Sequence, residues 1–298
     1  MNHSILCIGA ALLDEIYFSQ APMHMETSNP AQGSSSIGGV MTNVARHLAA
    51  LDLPVTLLTA LGNDAAGNEI MTQLTASGIQ MTPTIHTQVP TGKYIAFHQP
   101  NGQLLTAICQ DEATAYITPD YLASQKKLLQ QARYIIADTN LSPESLQWLS
   151  SQAALDGWYL VIEPVSVRKA AKLNDIPLNQ VALLTPNEEE LEAMGGLETL
   201  FTRGVQAVWV RKGSAGSTLY TPTHQYELGV PTIQVKDTTG AGDAALGGWL
   251  YAQFKQYNVP TSLAYGHALA LHILQQKGAV DTQITAEQFE QIKQNYYP

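Results

Sequence analysis

The hydrophobic pattern changes character along the chain. Residues 4–11 form a short apolar run that reads as a buried strand ending at Gly9, with Asp14 following at its carboxyl end. Residues 15–37 turn polar, with Pro22, Pro30, Gly33 and the triplet Ser34-Ser35-Ser36, a composition that suits loops and short exposed strands. Apolar positions at helical spacing in NVARHLAAL predict a helix over 43–51, and PVTLL at 54–58 predicts a strand. The turn GNDAAG at 62–67 leads into a further helix to about Ser77. Between 92 and 108, polar and apolar residues alternate on both sides of Asn101-Gly102, the dipeptide that favours a tight hairpin turn. Strand-like runs at 134–138, 159–164, 181–186 and 207–213 then alternate with helical stretches, and the chain ends in two helical stretches. That rhythm predicts a mostly parallel sheet covered by helices on both faces. The expected architecture is one αβα domain over 1–298, with a small β lid contributed by two excursions, about 15–37 and 91–117.

Composition narrows the function. A hydrophobic fraction of 45% over 298 residues supplies a sizeable core. The formal charge of -10 argues against nucleic-acid or anionic-membrane surfaces, which need clustered Lys and Arg. Any phosphate must therefore be held by local backbone donors and a metal. The two cysteines, Cys7 and Cys109, exclude a disulfide framework, and Cys7 in its apolar run reads as a small buried hydrophobe. The N-terminus lacks the pattern of a signal peptide, and no apolar run is long enough to span a bilayer. A soluble protein of the reducing cytoplasm is expected.

The sharpest chemical signal is Asp237-Thr238-Thr239-Gly240-Ala241-Gly242-Asp243, followed by AALGGWLYAQF. The run PTIQV at 231–235 reads as a strand entering a small-residue turn that opens a helix. Gly240, Ala241 and Gly242 carry no bulky side chain, so their amides can approach an anion, and the helix adds its positive end at the same point. The arrangement fits charge developing on a transferring phosphoryl group. Asp243, in the first helical turn, can accept the proton of an aligned hydroxyl. The bland reading is a tight turn with Asp243 as helix cap; the flanking Asp-Thr-Thr and the small-residue helix favour the catalytic one. Gly38-Gly39 ahead of a helix that carries Asn43 offers backbone and an amide to a ligand's hydroxyls, or is a turn with Asn as a cap. Asn187 and Glu190, in TPNEEE, share a helix face and suit a metal-bound water near phosphates. The alternative there is an acidic first turn favoured by the helix dipole.

In this order the stretches resemble the signatures of the PfkB family of carbohydrate and nucleoside kinases, which have the ribokinase-like fold. GGVMTNVA at 38–45 resembles the family's N-terminal signature, DTTGAGDAALGG at 237–248 its C-terminal one, and TPNEEE its NxxE element. VRKGSAGS at 210–217 resembles the stretch lining the nucleotide site, so that the likeness covers nearly the whole chain. Within the family, Ser28-Asn29-Pro30, IIADTNLSPESLQWL at 135–149 and EPVS at 163–166 resemble the pseudouridine kinases, with Thr42 where those carry Arg and Glu163 where they carry Asp. The resemblance implies that Asp14, Gly39 and Asn43 hold sugar hydroxyls, that Asn140 faces the same substrate pocket, that Gly240, Ala241 and Gly242 form an anion hole, and that Asp243 is the base. It further implies that Asn187 and Glu190 position Mg²⁺ through water while Arg211, Lys212 and Gly213 border ATP. A potassium ion would lie near Asp237 and Thr239, and a homodimer would form through the lid.

Charge bears on the substrate independently. No Lys or Arg occurs from Leu12 to Ala45, and Lys93 is the only one from Gly92 to Ile117. A kinase acting on a phosphosugar must neutralise that phosphate, normally with Arg or Lys, so this lid favours a neutral sugar or nucleoside. Tyr17, Phe18, Tyr94 and Phe97 lie in the lid segments and either cover a base or pack the lid on itself. The expected activity is ATP-dependent phosphorylation of the 5′-hydroxyl of a neutral nucleoside, pseudouridine first. The same chemistry on ribose, fructose or adenosine is one alternative, and a non-catalytic nucleotide-binding protein on this fold is another. A nicotinamide dehydrogenase is disfavoured, because no G-x-G-x-x-G follows the first strand.

Overall fold

The computed structural model describes residues 4–298. Strand β1 (Ser4–Ile8) leads into the antiparallel pair β2 (Leu12–Ser19) and β3 (Ala31–Gly38), then helix α1 (Val40–Ala50) and β4 (Val55–Leu58). A short parallel pair, β5 (Ala60–Gly62) and β6 (Ile85–Thr87), brackets α2 (Ala65–Ala76), and β7 (Lys93–His98) turns back as β8 (Leu104–Gln110). After α3 (Pro119–Ser124) and α4 (Lys126–Gln131) come β9 (Ala132–Asp138), α5 (Pro143–Asp156), β10 (Tyr159–Glu163), α6 (Val167–Ala170) and β11 (Val181–Leu184). Then follow α7 (Glu188–Ala193), α8 (Gly196–Thr202), β12 (Val208–Arg211), β13 (Ser217–Tyr220) and β14 (Gln225–Leu228). Three helices close the chain: α9 (Ala241–Phe254), α10 (Val259–Leu274) and α11 (Ala286–Tyr296).

Eight strands form the main sheet in the order β14-β13-β12-β11-β10-β9-β1-β4. The pairs from β4 to β12 are parallel and the last two are antiparallel. The inner strands read as unbroken apolar runs because both faces are covered, as in parallel sheets generally. Alternation splits them between two cores: Ile5 and Cys7 face the side of α1, α9 and α10, whereas Leu6 and Ile8 face the side of α3 and α5. Strand β1 has β4 on one side and β9 on the other, so the chain reverses direction across the sheet there. Ligands of open α/β sheets bind outside the carboxyl ends of the strands at such a switch. Gly9, Asp138 and Asn140 stand at that edge.

The lid is a separate four-stranded sheet in the order β3-β2-β7-β8, with Gly102 in the hairpin at φ +85°. Its extent differs from the sequence expectation at one end. Residues 113–116 form a 3₁₀ turn whose Ala113, with Ile117, is buried in the core, so the lid ends at Gln110. A second difference concerns 231–235, which form no strand; Pro231 lacks an amide to donate to a ladder, and β14 already forms the edge. Helix α1 begins at Val40, before the predicted Asn43. Among the described residues no helix is long and apolar enough to cross a membrane.

The small residues of α9 have a packing cause. A Cβ on Gly247 would lie 3.0 Å from the His47 side chain of α1, and one on Gly248 would run into the Tyr265 carbonyl of α10. These glycines let α1 and α10 approach α9 closely, and the start of α9 is thereby brought against α1.

Candidate active site

That approach joins the two glycine motifs. Asn43 of α1 donates through Nδ2 to Oδ2 of Asp243 in α9 at 2.8 Å. Neither is a cap: the residues preceding the two helices are Gly39 and Gly240, and Asp243 lies in the first turn. Gly240 has φ +73°, and a Cβ there would lie 2.5 Å from Ala279, so the turn requires glycine. The first-turn amides of Gly242 and Asp243 have no intrahelical carbonyl to bind and point out of the helix start. Burial, aided by the negative Glu163 and Asp138 and opposed by the Asn43 amide and Arg211, raises the Asp243 pKa to about 7. A carboxylate so tuned is half-ionised near neutral pH, where a general base works best.

On the lid side, Asp14 of β2 lies beside Gly38, where any Cβ would run into its carboxylate, and burial raises its pKa to about 6 against the opposing charge of Arg46. Gly39, at φ +102°, packs where a Cβ would strike the Ala10 carbonyl, so this glycine serves the close passage of two backbone segments. The Oδ1 of Asn43 is buried without a hydrogen-bond partner, as is Oδ2 of Asp138 at the end of β9. Both are acceptors suited to a ligand's hydroxyl or amide hydrogen. Asp138 is fully buried, its pKa is raised to about 7 by that burial, and its Oδ1 accepts the Asn140 amide at 2.9 Å.

The sequence reading missed Asp138 and also Lys169, whose ammonium donates to the Asn140 side-chain carbonyl. Lys169 comes from α6, outside the lid segments, and only its position just after EPVS could have drawn attention to it. The lid itself is as poor in free cations as its composition indicates. Its Lys93 is paired with Glu15 at 2.8 Å. Of the lid aromatics, Tyr17 stacks on Phe97 with centroids 5.8 Å apart and Phe18 on His98 at 4.8 Å, so these pack the lid on itself. Tyr94 is in register with Asp14 and so shares its face.

Beyond Asp243 a cavity of about 710 Å³ opens, lined by Asn187, Glu190, Arg211, Gly213 and Ser214 near the acid and by Trp209, Ile233 and Leu274 farther on. Its far wall is apolar. The nearby polar groups are engaged with one another: Trp209 Nε1 donates to Ser217 Oγ at 2.7 Å, which meets His267 Nε2 at 2.7 Å. An acidic, donor-rich mouth and an apolar end fit a nucleotide with a hydrated divalent ion. Asn187 and Glu190 form a reciprocal capping box, Glu190 N donating to Asn187 Oδ1 at 2.8 Å and Asn187 N to Glu190 Oε2 at 2.9 Å. The cap therefore exists alongside their place on the cavity wall. Burial raises the Glu190 pKa. Lys212 departs from its expected place: it leaves β12 on the side opposite Arg211 and donates to Thr218 Oγ1 at 2.9 Å, off the cavity wall. Asp237 accepts the amides of Thr239 at 2.9 Å and Gly278 at 3.0 Å, tying the turn before α9 to the loop after α10. No group of three or more His, Cys, Asp or Glu side chains among the described residues is arranged to hold a metal. An ion here would keep most of its waters and lean on phosphates.

Comparison with known proteins places this geometry among relatives. The profile of the pfkB family carbohydrate kinases matches residues 2–286. A pseudouridine kinase of Escherichia coli is 31% identical over 260 residues, covering 82% of this chain and 82% of that protein. A carbohydrate kinase from Agrobacterium tumefaciens superposes with a TM-score of 0.87 at 24% identity, over 99% of this chain and 98% of that one. The Arabidopsis thaliana ribokinase complexed with ribose and ATP superposes with a TM-score of 0.83 at 21% identity, over 98% of this chain and 99% of that one.

Proposed function

The chain belongs to the pfkB family of carbohydrate kinases, and from that membership we propose that it transfers the γ-phosphoryl group of ATP to the 5′-hydroxyl of a neutral nucleoside, pseudouridine before others. The observation that carries the reading is the Asn43–Asp243 contact, at 2.8 Å. It sets one half-buried carboxylate between a pocket of hydroxyl-binding groups under the lid and a cavity suited to a nucleotide.

Magnesium-bound ATP supplies the phosphoryl group and the divalent charge that offsets its oxygens. This chain's residues do the rest. Asp14 and the free Oδ1 of Asn43 hold sugar hydroxyls, and Asn43 Nδ2 fixes the Asp243 carboxylate. Asp243 takes the hydroxyl proton, and the free amides at the start of α9 face the charge that develops on the transferred group. Glu190 and Asn187, on the cavity wall, would hold the hydrated ion, and Gly213 would border the nucleotide. A potassium ion beside Asp237 and Thr239 would brace the turn, and exchange of K⁺ for Na⁺ in the assay tests this.

Several features support a nucleoside. The pseudouridine kinase of Escherichia coli shares 31% of its residues. Lys93 is already neutralised by Glu15, and Tyr94 lies on the Asp14 face where a base would stack. Lys169, which gives one N–H to Asn140 Oδ1, keeps others that can reach a base carbonyl. Lys172, from the same region, is spent on the carbonyls of Thr139 and Leu141 at 2.9 and 3.1 Å. A second copy of the chain is the partner we expect on the lid, whose edge strand β8 is exposed throughout, with Leu104, Leu105 and Ile108 outward.

ADP release with pseudouridine, uridine, adenosine, ribose, fructose and ribose 5-phosphate tests the reading. Uridine lacks the ring N–H that pseudouridine turns outward. Leaving its partner unsatisfied costs about 1–3 kcal/mol, or roughly 5- to 150-fold in rate. Faster turnover of ribose or fructose would overturn the nucleoside assignment, and preference for ribose 5-phosphate would overturn the charge reasoning. A protein that binds nucleotide and turns over none of these is the non-catalytic alternative.

A further inference from the structure

Arg211 ends β12 and stands on the cavity wall. It turns beneath the start of α9, where Nη1 donates to the Gly242 carbonyl at 3.1 Å. Nη2 donates to a Glu163 carboxylate oxygen at 2.6 Å and to the Thr185 carbonyl. The other Glu163 oxygen accepts the Thr185 hydroxyl. The end of β10, the residue after β11, the end of β12 and the first turn of α9 therefore meet on one guanidinium. Only 17% of the Arg211 side chain and 5% of that of Glu163 are exposed. A Cβ on Gly242 would lie 2.7 Å from Arg211 Nη1, so that glycine is needed for this approach.

A planar guanidinium can satisfy three partners set at fixed angles, whereas an ammonium on a flexible stem cannot. A triphosphate seeking Arg211 would also meet a guanidinium already bound to a carboxylate. Glu163, also on the cavity wall, has both carboxylate oxygens engaged, by Arg211 and by the Thr185 hydroxyl. The family resemblance places Arg211 at the border of the ATP site, where it does line the cavity, and its contacts give it a further task.

We propose that Arg211 and Glu163 are a positioning pair that holds the first turn of α9, with the Asp243 carboxylate and its free amides, against the ends of β10–β12. The proposal rests on the kinase reading above, because the turn it holds is the one that reading makes catalytic. Misplacement of reacting groups by about 1 Å costs roughly a hundredfold in rate. Arg211→Lys keeps the charge and loses the fork, so kcat should fall about a hundredfold while the Kd for Mg-ATP changes little. Backbone hydrogen exchange over 237–246, measured without ligand, should quicken in the variant while the rest of the sheet is unchanged. Because a lone Arg211→Met leaves Glu163 buried and unpaired, the double variant Arg211→Met/Glu163→Gln serves as the folded control. Its kcat should be no lower than that of Arg211→Lys, since both residues act through one contact. Near-parent turnover in Arg211→Lys would overturn the proposal. So would a weakened ATP affinity with unchanged exchange, or losses for Arg211 and Glu163 that multiply. Should the parent phosphorylate nothing in the substrate panel, the kinase reading fails, and the exchange measurement still decides whether the pair holds the turn.

Discussion

Asp243→Asn should separate catalysis from stability at one residue. The carboxylate faces Asn43 of α1, Asp138 of β9, Glu163 of β10 and Arg211 of β12, and burial is the main cause that lifts its pKa from an ordinary 3.8 to about 7. An acid whose folded pKa exceeds its unfolded one binds its proton more tightly when folded. Stability is therefore greatest below about pH 4 as far as this group is concerned, falls as pH rises towards 7, and stays reduced above it. At about 1.36 kcal/mol per pKa unit, the full penalty is at most about 4 kcal/mol, and smaller because the residue borders a wet cavity. The amide that replaces the acid keeps an oxygen for Asn43 Nδ2 and carries no charge. The variant should therefore melt higher than the parent at about pH 8, with the difference shrinking towards about pH 4. Turnover should meanwhile fall about 10²–10⁴-fold. Thermal unfolding across that pH range and ADP release on the same preparations make the measurement. A stability difference independent of pH, or a variant less stable than the parent at the alkaline end, would refute the buried-acid reasoning. Turnover within a few-fold of the parent would refute the base assignment.

Asp138→Asn removes a like charge that raises the Asp243 pKa, so the acid limb of the kcat/KM profile, which falls as pH drops below about 7, should move to lower pH; an unmoved limb would separate the two acids. Glu190→Gln keeps an oxygen for the Asn187 amide and should raise the magnesium needed for half-maximal rate, and an unchanged titration would leave Glu190 as a cap alone. Ile108→Lys on β8, a position 58% exposed, should convert a dimer to monomer in sedimentation velocity; a monomeric parent would remove the lid as the pairing surface.

The layered fold was legible because its signals are local. Continuous apolar runs marked β1, β9, β10 and β11, and Asn101-Gly102 marked the hairpin, since burial on both faces and a left-handed turn each leave an imprint within a few residues. The run at 231–235 misled because its composition suits a strand, while strand formation needs a neighbour with free donors and acceptors. No neighbour offers them beyond β14. The excursion to 117 was overextended for the same reason: Ala113 and Ile117 look no different in sequence from lid residues, and only the core they enter distinguishes them.

The site was legible motif by motif and illegible in its joints. Asn43 and Asp243 lie 200 positions apart, and each motif alone left a capping residue as a live alternative. Their contact depends on Gly247 and Gly248, whose role is to let helices approach. Charge shows the same limit. Counting cations along the lid segments assumes that the pocket is built from those segments, yet Lys169 arrives from α6 to meet Asn140, 29 positions away. Its ammonium lowers the Asp138 pKa only as a minor effect against burial, and the site holds Asp14 and Asp243 as well. A phosphosugar would bring two negative charges to a site where the acids Asp14, Asp138 and Asp243 already stand against Lys169. A neutral nucleoside would need from Lys169 only a single hydrogen bond to a carbonyl. The cation absent from the linear reading thus leaves the argument for a neutral substrate standing and moves its basis from the lid's composition to the acids gathered around Lys169.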